Sequence, residues 1–372
     1  MPATGDRITK RKDGLFMARY TVHTPDGPKR KTIYDRKYRE VERKLAEAMG
    51  DAARGIVYDD ENMTVSEYLD RWLSDSDRGT VRESTYSRDK YLVTNHIKPS
   101  IGRIKLKNVS ALHLQRLYRD RLDAGLSGST VQKMHHVIHK ALSRAVRWDL
   151  IPRNPAGNVK APTPSTKEMH PLSADEARQL LEAARDDRLE ALYVLALHTG
   201  MRRGELLGLK WDDVDLDNET IRVRRTLTRK GTGYVLGEPK TRKCRRTIRL
   251  TKRAVEALRS HRTRRLEEKK LRATEYDDSG LVFAGEGGNL INPSNLRQRS
   301  FVPLLMRAGL PQITFHDLRH TCASLLFQKN VRPKFVQELL GHASVSNTLD
   351  TYSHMLPGMG GEAADAIGEA LG

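Results

Sequence analysis

The sequence predicts a multidomain fold: a small N-terminal β-sheet with one helix, an all-α domain, and a larger, mainly helical α+β domain. Three observations predict this order. A chain of 372 residues exceeds what one hydrophobic core usually organises. The first segment has the turn chemistry of paired strands, whereas the second has apolar residues at helical spacing. A stretch rich in proline, serine and lysine then separates the second segment from the third.

The first domain is predicted over residues 1–58. Residues 15–22 are typical of a strand, and a Thr-Pro-Asp-Gly-Pro turn leads to a return strand over residues 29–34. Apolar residues then fall on one helical face, and these are Tyr38, Val41, Leu45 and Met49.

The return strand begins with three consecutive basic residues, Lys29, Arg30 and Lys31. A two-stranded ribbon fits the major groove of B-DNA, and basic side chains beside it can hold phosphates. A solvated basic hairpin without a ligand is the alternative. We predict DNA contact by these three residues.

The second domain is predicted to be helical over residues 62–156. Its first helix begins at a capping box formed by Thr64 and Glu67. An apolar stripe follows at helical spacing: Val65, Tyr68, Leu69, Trp72 and Leu73. Further helices are predicted over residues 83–95, 111–124 and 130–148. Ser110 and Ser129 are the expected N-caps of the last two.

The third domain is predicted over residues 170–372, after a linker at residues 157–169. Ser173 is the expected N-cap of its first helix. A strand pair is expected near residues 219–228 and 245–250, followed by several helices.

The composition favours a polyanionic partner. The chain has 66 Lys plus Arg against 47 Asp plus Glu, a net charge of +19, and nucleic acid is the first candidate for so basic a protein. A membrane-surface protein is the weaker alternative, because no segment approaches ~18 unbroken apolar residues and no secretory signal or lipidation motif is found. The two cysteines, Cys244 and Cys322, form no CxxC pair. The expected compartment is therefore a reducing one, the bacterial cytoplasm.

Four short stretches of the third domain carry residue types that activate phosphate esters. They are Thr-Gly-Met-Arg-Arg-Gly-Glu at 199–205, Pro-Lys-Thr-Arg-Lys at 239–243, His-Asp-Leu-Arg-His at 316–320, and Leu-Gly-His at 340–342 with Thr-Tyr-Ser at 351–353. Their order of Arg, Lys, His-x-x-Arg, His and Tyr resembles the tyrosine recombinase family, the phage and mobile-element integrases related to type IB topoisomerases. Each stretch alone is weak, but all of them in this order are specific.

The resemblance implies which residues bind the phosphate. Arg202 and Arg319 would clamp the non-bridging oxygens with planar, permanently charged guanidinium groups. His342 would donate a further hydrogen bond to the same oxygens. Glu205 is expected to orient Arg202 rather than to react. An ordinary surface ion pair between Arg202 and Glu205 is the alternative.

The resemblance also implies the covalent chemistry. Tyr352 would attack the phosphorus in line and form a 3′-phosphotyrosyl link. The unperturbed pKa of a phenol is about 10, so a base is needed, and His316 is the implied general base. Lys240 is the implied general acid for the departing 5′ oxygen. It is preferred to Lys243 and Lys252 because its Pro-Lys-Thr setting resembles the family's turn.

A zinc site is the alternative for His316 and His320, which lie four residues apart on a predicted helix. The known metalloprotease motifs need Glu at position 317 or 319, where Asp317 and Arg319 stand. No nucleotide-binding Gly-x-x-x-x-Gly-Lys loop occurs either. The sequence therefore predicts neither metal nor cofactor, and His320 is expected to support the catalytic residues through hydrogen bonds.

The resemblance implies double-stranded DNA as the partner, with arm-type sites for the first domain and core-type sites for the second. It implies integration and excision of a phage or mobile element by a homo-tetramer on DNA, at the nucleoid of a bacterial host. A host DNA-bending protein and an excisionase are the implied accessory factors. The C-terminal tail is expected to dock either on a neighbouring protomer or on its own domain.

Two alternative functions remain. One is a DNA-binding regulator on an inactivated recombinase scaffold, which the intact catalytic set disfavours. The other is a topoisomerase, which the arm-like N-terminal segment disfavours.

Overall fold

The computed structural model describes residues 8–24, 27–53, 62–77, 79–163, 170–231, 233–239, 245–272, 276–342, 344–352 and 368–371. The chain divides into two compact units, residues 1–166 and residues 167–372. The first unit holds two hydrophobic clusters, one beneath the N-terminal sheet and one among the helices that follow.

The N-terminal sheet is antiparallel, with strand order β1 (Thr9–Lys10), β2 (Phe16–Thr24), β3 (Gly27–Asp35). Helix α1 (Tyr38–Ala53) packs on it. Val41 and Leu45 of α1 are buried with Ala18 of β2. The other two residues of the predicted helix face, Tyr38 and Met49, are about half exposed, although the Tyr38 ring packs edge-on against Phe16 of β2.

The second part of this unit is all-helical. Its helices are α2 (Val65–Trp72), α3 (Glu83–Leu92), α4 (Lys98–Ile101), α5 (Ala111–Asp123) and α6 (Gly128–Arg147). Thr64 and Glu67 form the predicted capping box at α2. The predicted apolar stripe of α2 is buried along its whole length. These predictions are confirmed.

The predicted N-cap of α6 is wrong by two residues. The helix begins after Ser127, whose hydroxyl accepts a hydrogen bond from the backbone N–H of Thr130. Ser129 therefore lies inside the first turn. Both serines precede the apolar residues at a plausible distance, and only the backbone turn at Leu126 decides between them. Ser110, in contrast, caps α5 as predicted.

The second unit is built around a nearly fully buried helix. Its elements begin with α7 (Ala174–Ala183), α8 (Glu190–Thr199) and α9 (Arg203–Leu207), and the predicted N-cap Ser173 begins α7 in a capping box. Helix α8 packs against two later helices, α10 (Lys252–Arg272) and α13 (Asp317–Gln328). Its apolar residues lie at the centre of the largest core cluster.

The strand predicted over residues 219–228 is divided between two sheets. Strands β4 (Val214–Asp215), β5 (Thr220–Val223) and β8 (Arg246–Arg249) form one antiparallel sheet, and β6 (Thr226–Lys230) pairs with β7 (Gly233–Gly237) in a hairpin. Between β5 and β6, Arg224 and Arg225 turn to the buried carboxylate of Asp213. These ion pairs end one strand before the next begins.

The remaining described helices are α11 (Pro293–Asn295), α12 (Val302–Arg307), α14 (Pro333–Leu340) and α15 (Val345–Tyr352). Residues 368–371 form an exposed helical turn, and the rest of the predicted C-terminal tail lies outside the described residues. Along the described ranges, no helix is both long enough and apolar enough to cross a membrane.

Candidate active site

Five of the six predicted catalytic residues fall on described parts of the second unit. Arg202 immediately precedes α9, and Arg319 lies in the first turn of α13 just after His316. His342 follows the end of α14, and Tyr352 is the last residue of α15. The sixth, Lys240, lies outside the described residues, as does Cys244.

A left-handed glycine directs the chain from α8 into the site. Gly200 ends α8 with φ of +59°. A Cβ atom at this position would lie 2.6 Å from the side chain of Leu340. Glycine is therefore required for both conformation and space. The turn places Arg202 three residues beyond Thr199, the buried last residue of α8.

Arg319 is almost completely buried, with 3% of the residue exposed. Its guanidinium donates to the carbonyl oxygen of Gly200 at 2.7 Å and to that of Leu340 at 2.8 Å. Burial, and after it the charge of nearby Arg202, lower the pKa of Arg319 to about 9. The group remains a cation at neutral pH, held where an anion would relieve the repulsion between the two guanidinium groups.

Arg202 is anchored by a buried carboxylate. Its Nη1 donates to Oε1 of Glu205 at 2.8 Å, and its backbone N–H donates to Oε2 at 3.0 Å. Burial acts to raise the pKa of Glu205, but Arg246 and then Arg202 outweigh it, so the pKa is lowered. Glu205 therefore stays ionised. Because Glu205 is 3% exposed, this pair differs from the surface ion pair that the sequence left as an alternative.

His342 is positioned by the helix that carries the tyrosine. Its Nδ1 lies 2.8 Å from the hydroxyl of Thr348, which is fully buried on α15. Burial lowers the pKa of His342 to about 4, and Arg319 and Arg202 act in the same direction. The imidazole is thus neutral at pH 7. In the tautomer whose Nδ1 accepts from the threonine hydroxyl, the ring proton is on Nε2, where it can be donated to a ligand.

Tyr352 is packed inside the unit, with 1% of the residue exposed. Its ring lies in a small cluster with Phe327 and Ala323. Its hydroxyl is 2.7 Å from Nδ1 of His320. Burial raises the pKa of Tyr352 to about 12, so the phenol keeps its proton at neutral pH and can donate it to His320 in the tautomer whose Nδ1 is unprotonated.

The histidine beside the tyrosine is not the one that the sequence indicated. His316 is the general base that the resemblance implies, whereas in the structure the phenol contacts His320, whose ring lies edge-on to that of His316 with centroids 4.8 Å apart. One helical turn separates the two residues on α13, and α15 approaches the deeper one. His316 remains open to solvent at the edge of the site.

Two residues of the site were missed by sequence reasoning. Arg246 donates to Oε2 of Glu205 at 3.0 Å, and Thr348 contacts His342 as described. Each had a signal: Arg246 shares the inward face of β8 with Ile248, and Thr348 lies one turn before Tyr352 on the same face of α15. A polar residue at an inward-facing position is the common feature.

The remaining predictions concern the basic residues of β3, a metal site and the cysteines. On β3, Arg30 is exposed and Lys31 is half-buried, and the side chain of Lys29 lies outside the described residues. DNA contact there stays a prediction. Where the structure describes the chain, no group of three or more His, Cys, Asp or Glu is arranged to hold a metal ion. Cys322 is buried, and burial raises the pKa of its thiol to about 12.

Sequence comparison decides the family. The model described as "Phage integrase family" matches residues 171–358, and that described as "Phage integrase, N-terminal SAM-like domain" matches residues 64–122. The chain belongs to the phage integrase family. The predicted resemblance to tyrosine recombinases is confirmed, and the protein is a DNA recombinase.

Relatives of this family match over most of their length. A tyrosine recombinase XerC-like protein of Caldanaerobacter subterraneus subsp. tengcongensis is 32% identical over 347 residues, which cover 88% of each chain. The ICEBs1 integrase of Bacillus subtilis is 25% identical and covers 77% of this chain and 78% of its own. The first is named a tyrosine recombinase and the second an integrase, and these relatives support site-specific recombination as the function of this chain.

Solved structures of phage integrase family proteins have the same fold. The Tn1549 transposon integrase in complex with a circular intermediate DNA superposes with a TM-score of 0.69 at 23% identity, covering 83% of this chain and all of the other. A lambda integrase tetramer bound to a Holliday junction superposes with a TM-score of 0.57 at 19% identity, covering 93% and 98%. The predicted fold class, a small sheet, a helical domain and a mainly helical catalytic domain, is confirmed.

Acid should destabilise the second unit through His342. Its folded pKa of about 4 lies below the ordinary histidine value of 6.5, so between these values the unfolded chain binds a proton that the folded chain does not. The stabilising contribution is present above pH 6.5 and is lost as the pH falls towards 4. We expect the free energy of unfolding, measured in urea at a series of pH values, to fall less steeply over this range in His342→Asn than in the wild type. If the free energies of unfolding of the variant and the wild type fell equally steeply with pH, the lowered pKa of His342 would be contradicted.

Proposed function

We propose that this recombinase integrates and excises a mobile element by cutting and rejoining double-stranded DNA, with Tyr352 as the nucleophile. The observation that carries the proposal is the convergence of four elements on one site. Arg202 and Arg319 both reach the end of α14, His342 follows that helix, and Tyr352 ends the next. Such a site holds cationic donors for a phosphate beside a buried hydroxyl nucleophile.

Phosphate activation is assigned to the arginines and His342. A phosphodiester resists attack because it is an anion, and its transition state places more charge on the non-bridging oxygens. Arg202 and Arg319 would bind these oxygens as cations, and His342 would donate from Nε2. One buried guanidinium and one half-buried guanidinium, both held in fixed orientation, would stabilise this charge without reorganising when the reaction occurs.

We propose that a histidine of α13 accepts the proton of Tyr352 when the phenol attacks. As the phenol oxygen bonds to phosphorus and the 3′ side of the break becomes a phosphotyrosyl ester, its proton must leave. The 2.7 Å contact supports His320 as the immediate acceptor. His316, which the sequence indicated as the general base, is the next ring along the helix and the one open to solvent.

The departing 5′ oxygen needs a proton, and Lys240 is its proposed donor. The assignment rests on the Pro-Lys-Thr sequence between β7 and β8. In the second transesterification both proton transfers run in the opposite direction. The attacking 5′-hydroxyl of another strand gives its proton to Lys240, and the departing Tyr352 oxygen takes a proton back from the histidine. Bond energy is conserved in the phosphotyrosyl ester, so the proposed reaction uses neither ATP nor a metal, as in type IB topoisomerases.

The proposed division of labour follows the predicted boundaries. Residues 1–58 would bind arm-type DNA sites, and residues 62–156 would bind core-type sites. Residues 157–169 would link the core-binding domain to residues 170–372, which would catalyse strand cleavage and rejoining. Recombination between two duplexes cuts four strands, which supports a homo-tetramer on DNA at the bacterial nucleoid. A lambda integrase tetramer on a Holliday junction is a precedent in the family. A host DNA-bending protein and an excisionase are proposed as accessory factors.

One experiment tests the proposal directly. The full chain is incubated with duplexes that span the ends of the element carrying the gene, each nicked so that the cleaved fragment diffuses away. In EDTA we expect a DNA adduct that survives denaturant, and peptide mass spectrometry should locate it on Tyr352. A reaction that needs added magnesium, or an adduct on another residue, would overturn the proposed mechanism.

A further inference from the structure

Three arginines bind three successive carbonyl groups at the C-terminal end of α14. The last carbonyls of a helix lack intrahelical partners and carry the negative end of its dipole, so cations are favoured there. The contacts are Arg246 Nε to Leu339 at 2.5 Å, Arg319 Nη2 to Leu340 at 2.8 Å, and Arg202 Nη2 to Gly341 at 3.5 Å. Two of these arginines belong to the proposed catalytic set, and Arg246 does not.

Arg246 also shares a carboxylate with Arg202. Glu205 accepts from Arg202 through Oε1 at 2.8 Å and from Arg246 through Oε2 at 3.0 Å. The side chains of Glu205 and Arg246 are 3% and 7% exposed. Arg246 is therefore too enclosed to serve as a surface DNA contact, and its charge acts through its neighbours.

The net charge of Arg202, Glu205 and Arg246 determines how much positive charge faces a phosphate bound at Arg202. With Arg202 alone, the buried carboxylate would neutralise the guanidinium. With Arg246 as second partner, one negative charge faces two positive charges, and a net positive charge remains. Interactions between such enclosed groups are much stronger than in water, so this difference reaches the phosphate site.

The backbone is shaped to admit Arg246. Gly341 has φ of +66°. A Cβ there would lie 3.1 to 3.4 Å from guanidinium and Cδ atoms of Arg246. The arginine thus lies against the turn that immediately precedes His342. The Arg246 side chain thus contacts both Glu205, which anchors Arg202, and Gly341, which precedes His342.

We propose that Arg246 is a positioning residue that balances the charge of Glu205 and holds the turn before His342, so that Arg202 presents net positive charge to the scissile phosphate. This role rests on the proposed function. Arg246 does not contact the reacting atoms. It sets the charge and orientation of groups that do.

The test uses adduct formation by the full chain on the nicked duplexes under single-turnover conditions. Arg246→Gln should slow the reaction by roughly 100-fold, the order expected when a catalytic group is misplaced by about 1 Å. Arg246→Lys keeps the charge and should recover most of this loss. The decisive variant is Arg246→Gln combined with Glu205→Gln, which removes one charge of each sign. We expect it to react about 10-fold faster than Arg246→Gln alone.

Other outcomes would overturn the proposal. If the double variant is no faster than Arg246→Gln, the effect is not one of charge balance. If Arg246→Gln reacts like the wild type, Arg246 has no positioning role. Arg249→Gln, an exposed change of the same kind on the same strand, is the matched control and should react normally. Absence of an adduct with the wild type would instead defeat the proposed function itself.

Discussion

Replacing Tyr352 by phenylalanine should abolish the covalent adduct while leaving the fold and DNA binding intact. The ring would keep its packing against Phe327 and Ala323, but the hydroxyl that is proposed to attack phosphorus would be gone. Loss of the hydrogen bond to His320 should cost about 1 kcal/mol of stability. The measurement is the amount of denaturant-resistant adduct on nicked DNA, with binding followed by gel shift at the same protein concentration.

The chain offers a matched control for this change. Tyr193 is fully buried in the same unit, and its hydroxyl lies 2.6 Å from that of Ser300. Tyr193→Phe removes the same atom and a similar hydrogen bond at a distance from the proposed site. We expect it to form adduct at the wild-type rate. An adduct persisting in Tyr352→Phe would show that another residue is the nucleophile.

The burial of Tyr352 bears on how the reaction begins. Because Tyr352 as a residue is 1% exposed and its hydroxyl is hydrogen-bonded to His320, we expect some displacement of α15 before the hydroxyl meets a phosphate. The contacts that hold this helix include one at Tyr352 and one from Thr348 to His342. Both end on groups assigned to the reaction, so DNA binding at these groups competes directly with the contacts that keep the nucleophile enclosed.

The predictable parts of the fold were those fixed by local chemistry. The capping boxes at Thr64 and Ser173 need only residues three positions apart, and the buried stripe of α2 needs only helical spacing. The split of the strand at residues 219–228 depends on Asp213, a partner outside the strand. Ser127 was missed for a similar reason, since the choice between two serines depends on the preceding turn.

The same distinction applies to the site. Motif order indicated Arg202, Arg319, His342 and Tyr352, because their residue types and spacing are characteristic of the family. Spacing could not indicate which histidine of α13 faces the phenol, since this depends on how α15 packs. Arg246 was missed because its partners, Glu205 and Leu339, are distant in the sequence and meet only in the folded unit.

Replacing Arg319 by lysine should slow adduct formation by about 10²- to 10³-fold, the range found when an oxyanion donor is removed. Lysine keeps the charge, but its single ammonium cannot reproduce the fork that joins the carbonyls of Gly200 and Leu340. One buried carbonyl would lose its partner, at a cost of about 1 to 3 kcal/mol. Rates should therefore be measured well below the melting temperature, which is determined in parallel.

A charge-conserving control separates catalysis from stability. Arg307 lies in the same unit, is half exposed, and pairs with Asp187 at 3.1 Å. Arg307→Lys should leave the adduct rate unchanged. If Arg319→Lys lowered the melting temperature but reacted at the wild-type rate, the guanidinium would be only a clamp between α8 and α14. A slow reaction by a fully folded variant would show that the same two contacts which hold the helices together also aim the charge at the phosphate.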